Sequence, residues 1–181
     1  MEPKEIERQL LTRCLAGDQQ AQFQLYQRYV KAMYNTAIRI VGRPDEAQDV
    51  LQDGFTKVFQ QLHTFRQESG IGSWIKRIIV NTALNALRSK KRLFYVELDQ
   101  NLEQIAESSD TFLDIDAEII HNAIKQLPDG ARVVFTLFAV EQLSHQEIAQ
   151  QLGVSESTSK TQYRRAKQLL KDALPQITTS I

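Results

Sequence analysis

Three carboxylates recur at every fourth position of the sequence, at Asp45, Asp49 and Asp53. This spacing puts them on one face of a helix, where a carboxylate cluster could bind a divalent cation or act on a substrate. No second helical segment carries a matching acidic cluster, and the three histidines are scattered without ligand spacing. The stripe therefore indicates either a solvated polar face or, the interpretation that we favour, a surface that docks a basic partner. A metal-dependent hydrolase is the weaker alternative.

A second candidate site combines amide and guanidinium side chains. Arg77, Asn81, Asn85 and Arg88 are spaced by four, four and three residues and so share one helix face, and no acid occurs at 69–96. Asn offers both a donor and an acceptor, which suits the edge of a base, while Arg suits phosphates. The pattern predicts a nucleic-acid-binding face, although Asn81 could also be an ordinary surface residue.

The segment before this helix is a loop that contains glycine and serine and begins with Phe65 and Arg66. The break in helical spacing places the loop at 63–73. A pliable loop beside a basic helix can accept a base turned out of the duplex, at a cost that contacts in the loop must offset. The alternative is that Phe65 is an ordinary core aromatic, which is what we expect of Trp74.

The most specific local pattern is a helix-turn-helix at 144–166. Ser144 and Glu147 form a capping box that starts a short helix, and Gly153 can adopt the positive φ of a tight turn. Ser155 is a suitable N-cap for a second helix that continues to about residue 174. In such a unit the second helix enters the major groove of DNA. The buried side of the first helix would consist of Ile148, Ala149 and Leu152.

The outer side of this second helix is basic and polar. Five Lys and Arg residues and no acid occur at 160–171, whereas a merely solvated face usually includes Glu. Lys160 and Arg164 are best placed for base edges or phosphates, and Thr158 for a phosphate at the helix start. The predicted DNA-reading residues are Ser157, Thr158, Lys160, Thr161, Arg164 and Arg165. The residues predicted to face inward are Tyr163, Ala166, Leu169 and Leu170.

Apolar residues follow helical spacing almost throughout the chain, which predicts an all-α protein. One stripe at 47–62 includes Phe55, and Gly42 followed by Pro44 separates it from the helix before. Regular spacing is lost at 93–116 and then returns. The first 92 residues are therefore expected to form a helical bundle.

The formal net charge of zero conceals three segments of different charge. Residues 1–92 contain 15 Lys and Arg against nine Asp and Glu, and residues 93–116 contain seven acids and no base. Residues 117–181 contain seven bases against six acids. This asymmetry predicts two small helical domains, 1–92 and 117–181, joined by an acidic flexible linker at 93–116.

The composition fits a protein of the cytoplasm. At 181 residues and 42% hydrophobic, the chain can form one ordinary domain or two small ones. The single cysteine, Cys14, excludes an internal disulfide and suits a reducing compartment. No apolar run approaches the roughly 18–20 residues that span a bilayer, and the charged N-terminal segment lacks an apolar signal core. Membrane insertion is therefore not expected.

The order of these motifs resembles the extracytoplasmic-function (ECF) group of bacterial RNA polymerase sigma factors over essentially the whole chain. In chain order the motifs are GD at 17–18, RY at 28–29, DEAQDV at 45–50, QDGF at 52–55, FR at 65–66, SWIKRI at 73–78, VNTA at 80–83 and LPD at 127–129. The basic segment at 88–92 and the helix-turn-helix with Lys160, Arg165 and Ala166 complete the pattern. This order across two domains is more specific than a helix-turn-helix alone.

The resemblance implies a role for each part of the chain. Residues 1–92 are similar to the sigma-2 domain, which binds the polymerase clamp and the −10 promoter element. Residues 117–181 are similar to sigma-4, which reads the −35 element, and the linker is similar to the segment that threads through the polymerase. The implied polymerase-binding residues are Asp45, Asp49, Gln52, Asp53 and Phe55. The implied −10 residues are Phe65, Arg66, Ser69, Gly70, Ile71, Arg77, Asn81, Asn85 and Arg88.

The expected function is to bind core RNA polymerase, recognise promoter DNA and help to melt it, with no catalytic residue, cofactor or metal. An anti-sigma factor is a further partner that the resemblance implies. Two departures from the family pattern stand out. Ser159 stands where the family usually has Val or Ile in the core of the recognition helix, and Phe23 lies one residue later than the Phe that usually follows the GD motif. A stand-alone helix-turn-helix transcription regulator is the alternative, although it leaves the first 92 residues without a role.

Overall fold

A computed structural model describes residues 3–66, 69–89 and 117–178, and the regular structure in these ranges is entirely helical. The predicted all-α class is thus confirmed. The linker at 93–116 and the basic residues at 90–92 lie outside the described residues. The helices are α1 (Pro3–Leu15), α2 (Gln19–Val41), α3 (Pro44–Gln61), α4 (Ile71–Ser89), α5 (Ala117–Gln126), α6 (Asp129–Phe135), α7 (His145–Leu152) and α8 (Glu156–Thr178), with a 3-10 turn at Leu62–Thr64 and a π-helical segment at Thr136–Val140.

The chain divides into two compact units, Met1–Ala86 and Leu87–Ile181. Two helical domains are what the charge asymmetry predicted, and the division falls near the C-terminal end of α4. The boundaries at 92 and 117 remain predictions, because the residues between them are not described.

The turn between α1 and α2 is closed by a charged cap. Gly17 has a φ of 81°, and the Asp18 carboxylate accepts hydrogen bonds from the backbone N–H groups of Gln20 and Ala21 at 2.9 and 3.1 Å. Arg13 donates to the same carboxylate and forms an ion pair with it at 2.6 Å. The hydrogen bond from Arg13 and those from the backbone lower the pKa of Asp18, as expected for a carboxylate at a helix N-terminus.

Helix α2 ends and α3 begins where the sequence predicted. Gly42 takes a left-handed conformation with φ 80°, and its N–H donates to the Ile38 carbonyl at 2.9 Å. Pro44 is the first residue of α3, a position where its missing N–H costs no helical hydrogen bond. The short connection brings α2 and α3 side by side, with Leu25, Val50 and Phe55 in the core.

Helix α4 crosses α2 and α3 at two glycines. A Cβ on Gly54 of α3 would overlap the Ile79 side chain, and a Cβ on Gly72 of α4 would lie 2.9 Å from the Tyr29 ring. Only glycine permits a helix backbone to pack this closely against these two side chains without displacing them. The Lys57 ammonium group adds a polar link, donating to the Thr82 hydroxyl at 3.3 Å.

The predicted loop at 63–73 is too long, because α4 begins at Ile71 rather than after Ser73. The Ile71 side chain is only 1% exposed and starts the buried stripe that Ile75 and Ile79 continue. Glycines at 70 and 72 made this segment look like a continuous loop. Gly72 is instead helical, and its lack of a side chain allows the contact with Tyr29.

In the second unit, α5, α6 and α8 enclose an apolar core. The core contains Ala123, Ile124, Leu127, Ala131, Phe135, Ala166 and Leu170, with Tyr163 and Leu169 partly buried against it. The inward face predicted for α8 is therefore correct. Arg132 is also buried, and its guanidinium donates to the Leu127 carbonyl at 3.1 Å and to the Asp129 carboxylate at 2.7 Å. This side chain ties the start of α6 to the preceding turn.

We predict that Gly54→Ala destabilises the first unit by about 1–3 kcal/mol, because the new methyl group overpacks the buried Ile79. The direction of the stability change is informative, because Gly→Ala in an exposed helix normally stabilises a protein by about 1 kcal/mol. Urea unfolding of the full chain would measure it.

Two variants serve as controls for this substitution. On an Ile79→Val background the penalty should shrink, because the overlapping methyl group is gone. Gly70→Ala should have little effect, since no atom lies within 4 Å of its Cβ position. A stabilising Gly54→Ala would contradict the close approach of α3 and α4.

Candidate nucleic-acid interfaces and docking groove

The helix-turn-helix has the local geometry that its sequence predicted. The Ser144 hydroxyl accepts the Glu147 N–H at 3.2 Å, and the Ser144 N–H donates to the Glu147 carboxylate at 2.8 Å, which completes the capping box. Hydrogen bonds from Ser144 lower the pKa of Glu147. Gly153 turns the chain with φ 68°, and Ile148 and Leu152 are buried. The turn therefore presents α8 at the surface of the second unit.

Helix α8 exposes most of the residues predicted to read DNA. The Ser155 hydroxyl caps its start by accepting the Thr158 N–H at 3.0 Å, and it also lies 2.8 Å from the Thr158 hydroxyl. The Thr158 side chain is thus already engaged at the helix start. Ser157, Lys160, Thr161 and Arg164 are exposed, whereas Thr158 and Arg165 are partly buried.

An acidic residue accompanies this basic face. The Glu156 carboxylate pairs with the Lys160 ammonium group at 2.7 Å, and both side chains are 50% exposed. Hydrogen bonding and attraction to Lys160 lower the pKa of Glu156. Sequence reasoning missed the pair because it counted acids from Lys160 onward, and Glu156 lies one helical turn earlier. The charge of Lys160 is therefore partly compensated.

The inner side of α8 contains a polar contact that the sequence did not predict. Ser159 is fully buried, and its hydroxyl lies 2.9 Å from Nδ1 of His145 at the start of α7. The imidazole stacks on Phe138 with ring centroids 4.3 Å apart, and the Tyr163 ring meets its edge at 5.7 Å. Burial lowers the pKa of His145, and the charges of Lys160 and Arg164 lower it further.

Helix α4 exposes the amide and guanidinium row as predicted. Arg77, Asn81, Asn85 and Arg88 all lie at the surface, while Ile75 and Ile79 on the opposite side are fully buried. The buried stripe fixes the rotation of the helix, so the polar row must face outward.

Phe65, in the loop before α4, packs against Trp74 near the start of that helix. The Phe65 and Trp74 rings lie 5.5 Å apart at an interplanar angle of 48° and are both partly buried. Arg66, Ser69 and Gly70 are exposed, and residues 67–68 lie outside the described residues. Ile71 belongs to the core, so its side chain is not available to a base.

The acidic stripe of α3 lies at the surface. Asp45, Asp49, Gln52 and Asp53 are exposed, and Asp45 pairs with Arg43 at 3.1 Å. A hydrogen bond from the backbone N–H of Glu46 is the main cause that lowers the pKa of Asp45. Among the residues that the structure describes, no group of three or more His, Cys, Asp or Glu side chains could hold a metal ion.

Beside this stripe, an open groove of about 690 Å³ runs between α2 and α3. Phe55 lies at its floor and is only 3% exposed, with its ring against Tyr26 at a centroid distance of 4.8 Å. Phe55 therefore offers a partner little surface of its own and supports the groove from below, so its place in the polymerase interface stays a prediction. The lining residues are Tyr26, Val30, Lys31, Tyr34, Gln48, Leu51, Gln52, Phe55, Thr56 and Phe59.

Comparison with known proteins matches both units. Residues 25–93 match the family "Sigma-70 region 2", and residues 117–170 match "Sigma-70, region 4". The RNA polymerase sigma-H factor of Pseudomonas aeruginosa is 31% identical over 94% of this chain and 95% of its own length. The ECF RNA polymerase sigma factor SigM of Mycobacterium tuberculosis is 29% identical over 96% of this chain and 87% of its length.

A solved structure of the sigma factor RpoE with the anti-sigma factor NepR from Bartonella quintana has a similar fold. The match covers 84% of this chain and 95% of the RpoE chain, with a TM-score of 0.51 and 22% sequence identity. Within the described ranges, no helix is both long enough and apolar enough to cross a bilayer. The chain belongs to the sigma-70 family of RNA polymerase sigma factors, in its ECF group.

We predict that Glu156→Gln increases the affinity of the polymerase-bound protein for promoter duplex and steepens its salt dependence. The substitution frees Lys160 for a phosphate, which should raise the salt slope by about one. Filter binding over a salt series would measure both quantities.

Asp172→Asn is the matched control for this prediction. It removes one negative charge from the same exposed helix, four turns further along, where the carboxylate accepts a hydrogen bond from Gln168 at 2.8 Å. If both substitutions changed the slope equally, net charge rather than release of Lys160 would be the cause.

Proposed function

We propose that this sigma factor directs core RNA polymerase to promoters by reading the −35 element with α8 and the −10 element with α4 and its preceding loop. The observation that carries the proposal is that one chain exposes two faces of polar and basic side chains, on α4 and on α8, the second within a helix-turn-helix. The protein would act in the cytoplasm as a regulatory subunit with no catalytic residue of its own.

The −35 element is assigned to the exposed face of α8. Arg164 can donate two hydrogen bonds to the acceptor edge of guanine, and Thr161 can contact a base or a phosphate. Ser157 and Arg165 flank them and would position the helix on the backbone. Lys160 would join this contact once it leaves Glu156 for the DNA.

The −10 element is assigned to the row on α4 and to the loop before it. Asn81 and Asn85 provide amide donors and acceptors for base edges, while Arg77 and Arg88 suit phosphates. The tilted Phe65 ring against Trp74 gives the loop a firm apolar wall. A base that leaves the duplex could stack there, with Arg66, Ser69 and Gly70 around it.

Core polymerase is assigned to the groove between α2 and α3. Its wall is aromatic and aliphatic, and Asp49 and Asp53 stand beside Gln48 and Gln52 on the same exposed helix. A mainly apolar groove that also contains Lys31, with acidic side chains nearby on α3, suits a partner surface that combines apolar anchors with charged side chains. An anti-sigma factor would be a second partner, as in the RpoE complex described above.

In this proposal, polymerase sets the distance between the two units, which residues 93–116 join. Fully extended, the 24 residues of 93–116 reach about 80 Å, enough to separate two sites by two DNA turns, about 70 Å. As a free coil the same segment would average only about 25–30 Å. With a net charge of zero, the free protein gains little non-specific attraction to DNA. Polymerase would supply the spacing.

We predict that Thr56→Arg reduces affinity for core polymerase roughly tenfold or more, because the exposed side chain fills the groove. Helix α3 should be preserved, since Arg is a good helix former. Run-off transcription with core enzyme, and binding measured by fluorescence anisotropy, would detect the loss. Thr64→Arg, at an exposed position outside the groove, is the control. Full activity of the Thr56 variant would remove the groove from the interface.

We predict that Asn81→Ala impairs promoter opening more than promoter binding. On a duplex template we expect about tenfold slower open-complex formation, equal to ~1.4 kcal/mol of barrier, and little change on a pre-melted template. Gln60→Ala, an exposed amide on neighbouring α3, controls for loss of a surface amide. If the variant were equally impaired on both templates, Asn81 would have no role in melting.

A further inference from the structure

A hydrogen bond between Ser159 and His145 joins α7 and α8. Ser159 has no exposed surface, and its hydroxyl lies 2.9 Å from His145 Nδ1, fourteen residues away in the chain. A buried hydroxyl is costly unless it is hydrogen-bonded. The imidazole meets that need in either tautomer, by accepting from the hydroxyl or by donating to it.

Aromatic rings on two elements hold the imidazole in place. Phe138 from the π-helical segment stacks on it at 4.3 Å with an interplanar angle of 14°, and Tyr163 from α8 meets it edge-on at 5.7 Å. Tyr163 also contacts Phe138 at 4.5 Å. His145 is therefore restrained from α7, from the π-helical segment and from α8 together.

This contact lies directly behind the exposed face of α8. Ser159 precedes Lys160 in the sequence, and Tyr163 precedes Arg164, so each inner residue is followed by an outer one. Because successive residues of a helix are about 100° apart, the rotation that buries Ser159 and Tyr163 also fixes where Lys160 and Arg164 point. A hydrogen bond is directional, whereas an aliphatic contact tolerates some rotation.

We propose that His145 is a positioning residue for promoter reading, which through its hydrogen bond to Ser159 sets the rotation of α8 and hence the aim of Lys160 and Arg164. The proposal rests on the proposed function of α8 in reading the −35 element. His145 acts through Ser159 and needs no contact of its own with DNA.

Three variants of the full chain, assembled with core polymerase, separate the hydrogen bond from the ring stacking. His145→Phe keeps the stack and loses the hydrogen bond, while His145→Asn keeps a hydrogen-bonding group near Nδ1 and loses the aromatic ring. Ser159→Ala removes the hydroxyl alone. Each holoenzyme transcribes two templates, one promoter with its −35 element intact and the same promoter with that element replaced. The readout is the ratio of the two rates.

For His145→Phe and Ser159→Ala we expect this ratio to fall on the order of two- to tenfold, the worth of one hydrogen bond, with the −35-replaced template little affected. His145→Asn should retain most of the ratio. The double variant His145→Phe, Ser159→Ala should be no worse than either single one, because both remove the same interaction.

Two results would overturn the inference. One is an unchanged ratio in Ser159→Ala, and the other is an equal loss on both templates in Ser159→Ala, which would make the contact purely structural. Ser159→Ala decides the matter even if His145→Phe folds poorly. A wild-type protein with no −35 dependence at all would instead refute the assignment of α8, and the inference with it.

Discussion

The first unit depends on the close approach of α4 to the two helices beneath it. At Gly54 and Gly72 the backbones lie so near to Ile79 and Tyr29 that a single methyl group would not fit. This constraint leaves one rotation of α4, with Ile75 and Ile79 inward. The amide and guanidinium row on its other side is then exposed as a consequence of packing. The exposed polar row and the buried apolar stripe are thus opposite faces of one helix.

The second unit fixes the orientation of α8 by different means. Helix α8 is held by an apolar core that includes Ala166 and Leu170 and, nearer its start, by the polar pair of His145 and Ser159. Aliphatic packing supplies most of the stability, because the area that it buries is large. The hydrogen bond adds direction, which in our proposal sets the orientation of Lys160 and Arg164. Each unit therefore couples a buried feature to an exposed one.

Helical periodicity predicted much of this architecture. The stripes, the cap at Ser144, the glycine turns and the outward row on α4 follow from residue types at fixed spacing in one helix, where geometry is local. Periodicity also placed Phe55 in the apolar stripe, where the structure confirms it. The assignment of that residue to a partner surface came from the family resemblance, which does not distinguish the floor of a groove from its rim.

What the sequence did not predict depends on residues that are distant in the chain. Glycine at 72 looks like a loop residue until Tyr29 is seen to occupy the space of its side chain. In the sequence, Ser159 is a polar residue at a position that should be buried. The structure shows that its hydroxyl is hydrogen-bonded to His145, fourteen residues away. The helical spacing of apolar residues at 133–138 likewise does not distinguish the π-helical segment that carries Phe138 from an α-helix. Such contacts arise from tertiary packing, which single-sequence patterns do not encode.

The central claim is that both units read one promoter while polymerase sets the distance between them. The most direct measurement is run-off transcription by core enzyme and this protein on promoters whose −35 and −10 elements are moved apart in single base pairs. We expect stimulation by the −35 element at one narrow spacing and its loss when about five base pairs, half a helical turn, are inserted. Stimulation that persists at every spacing, or transcription that does not require the protein, would contradict the account.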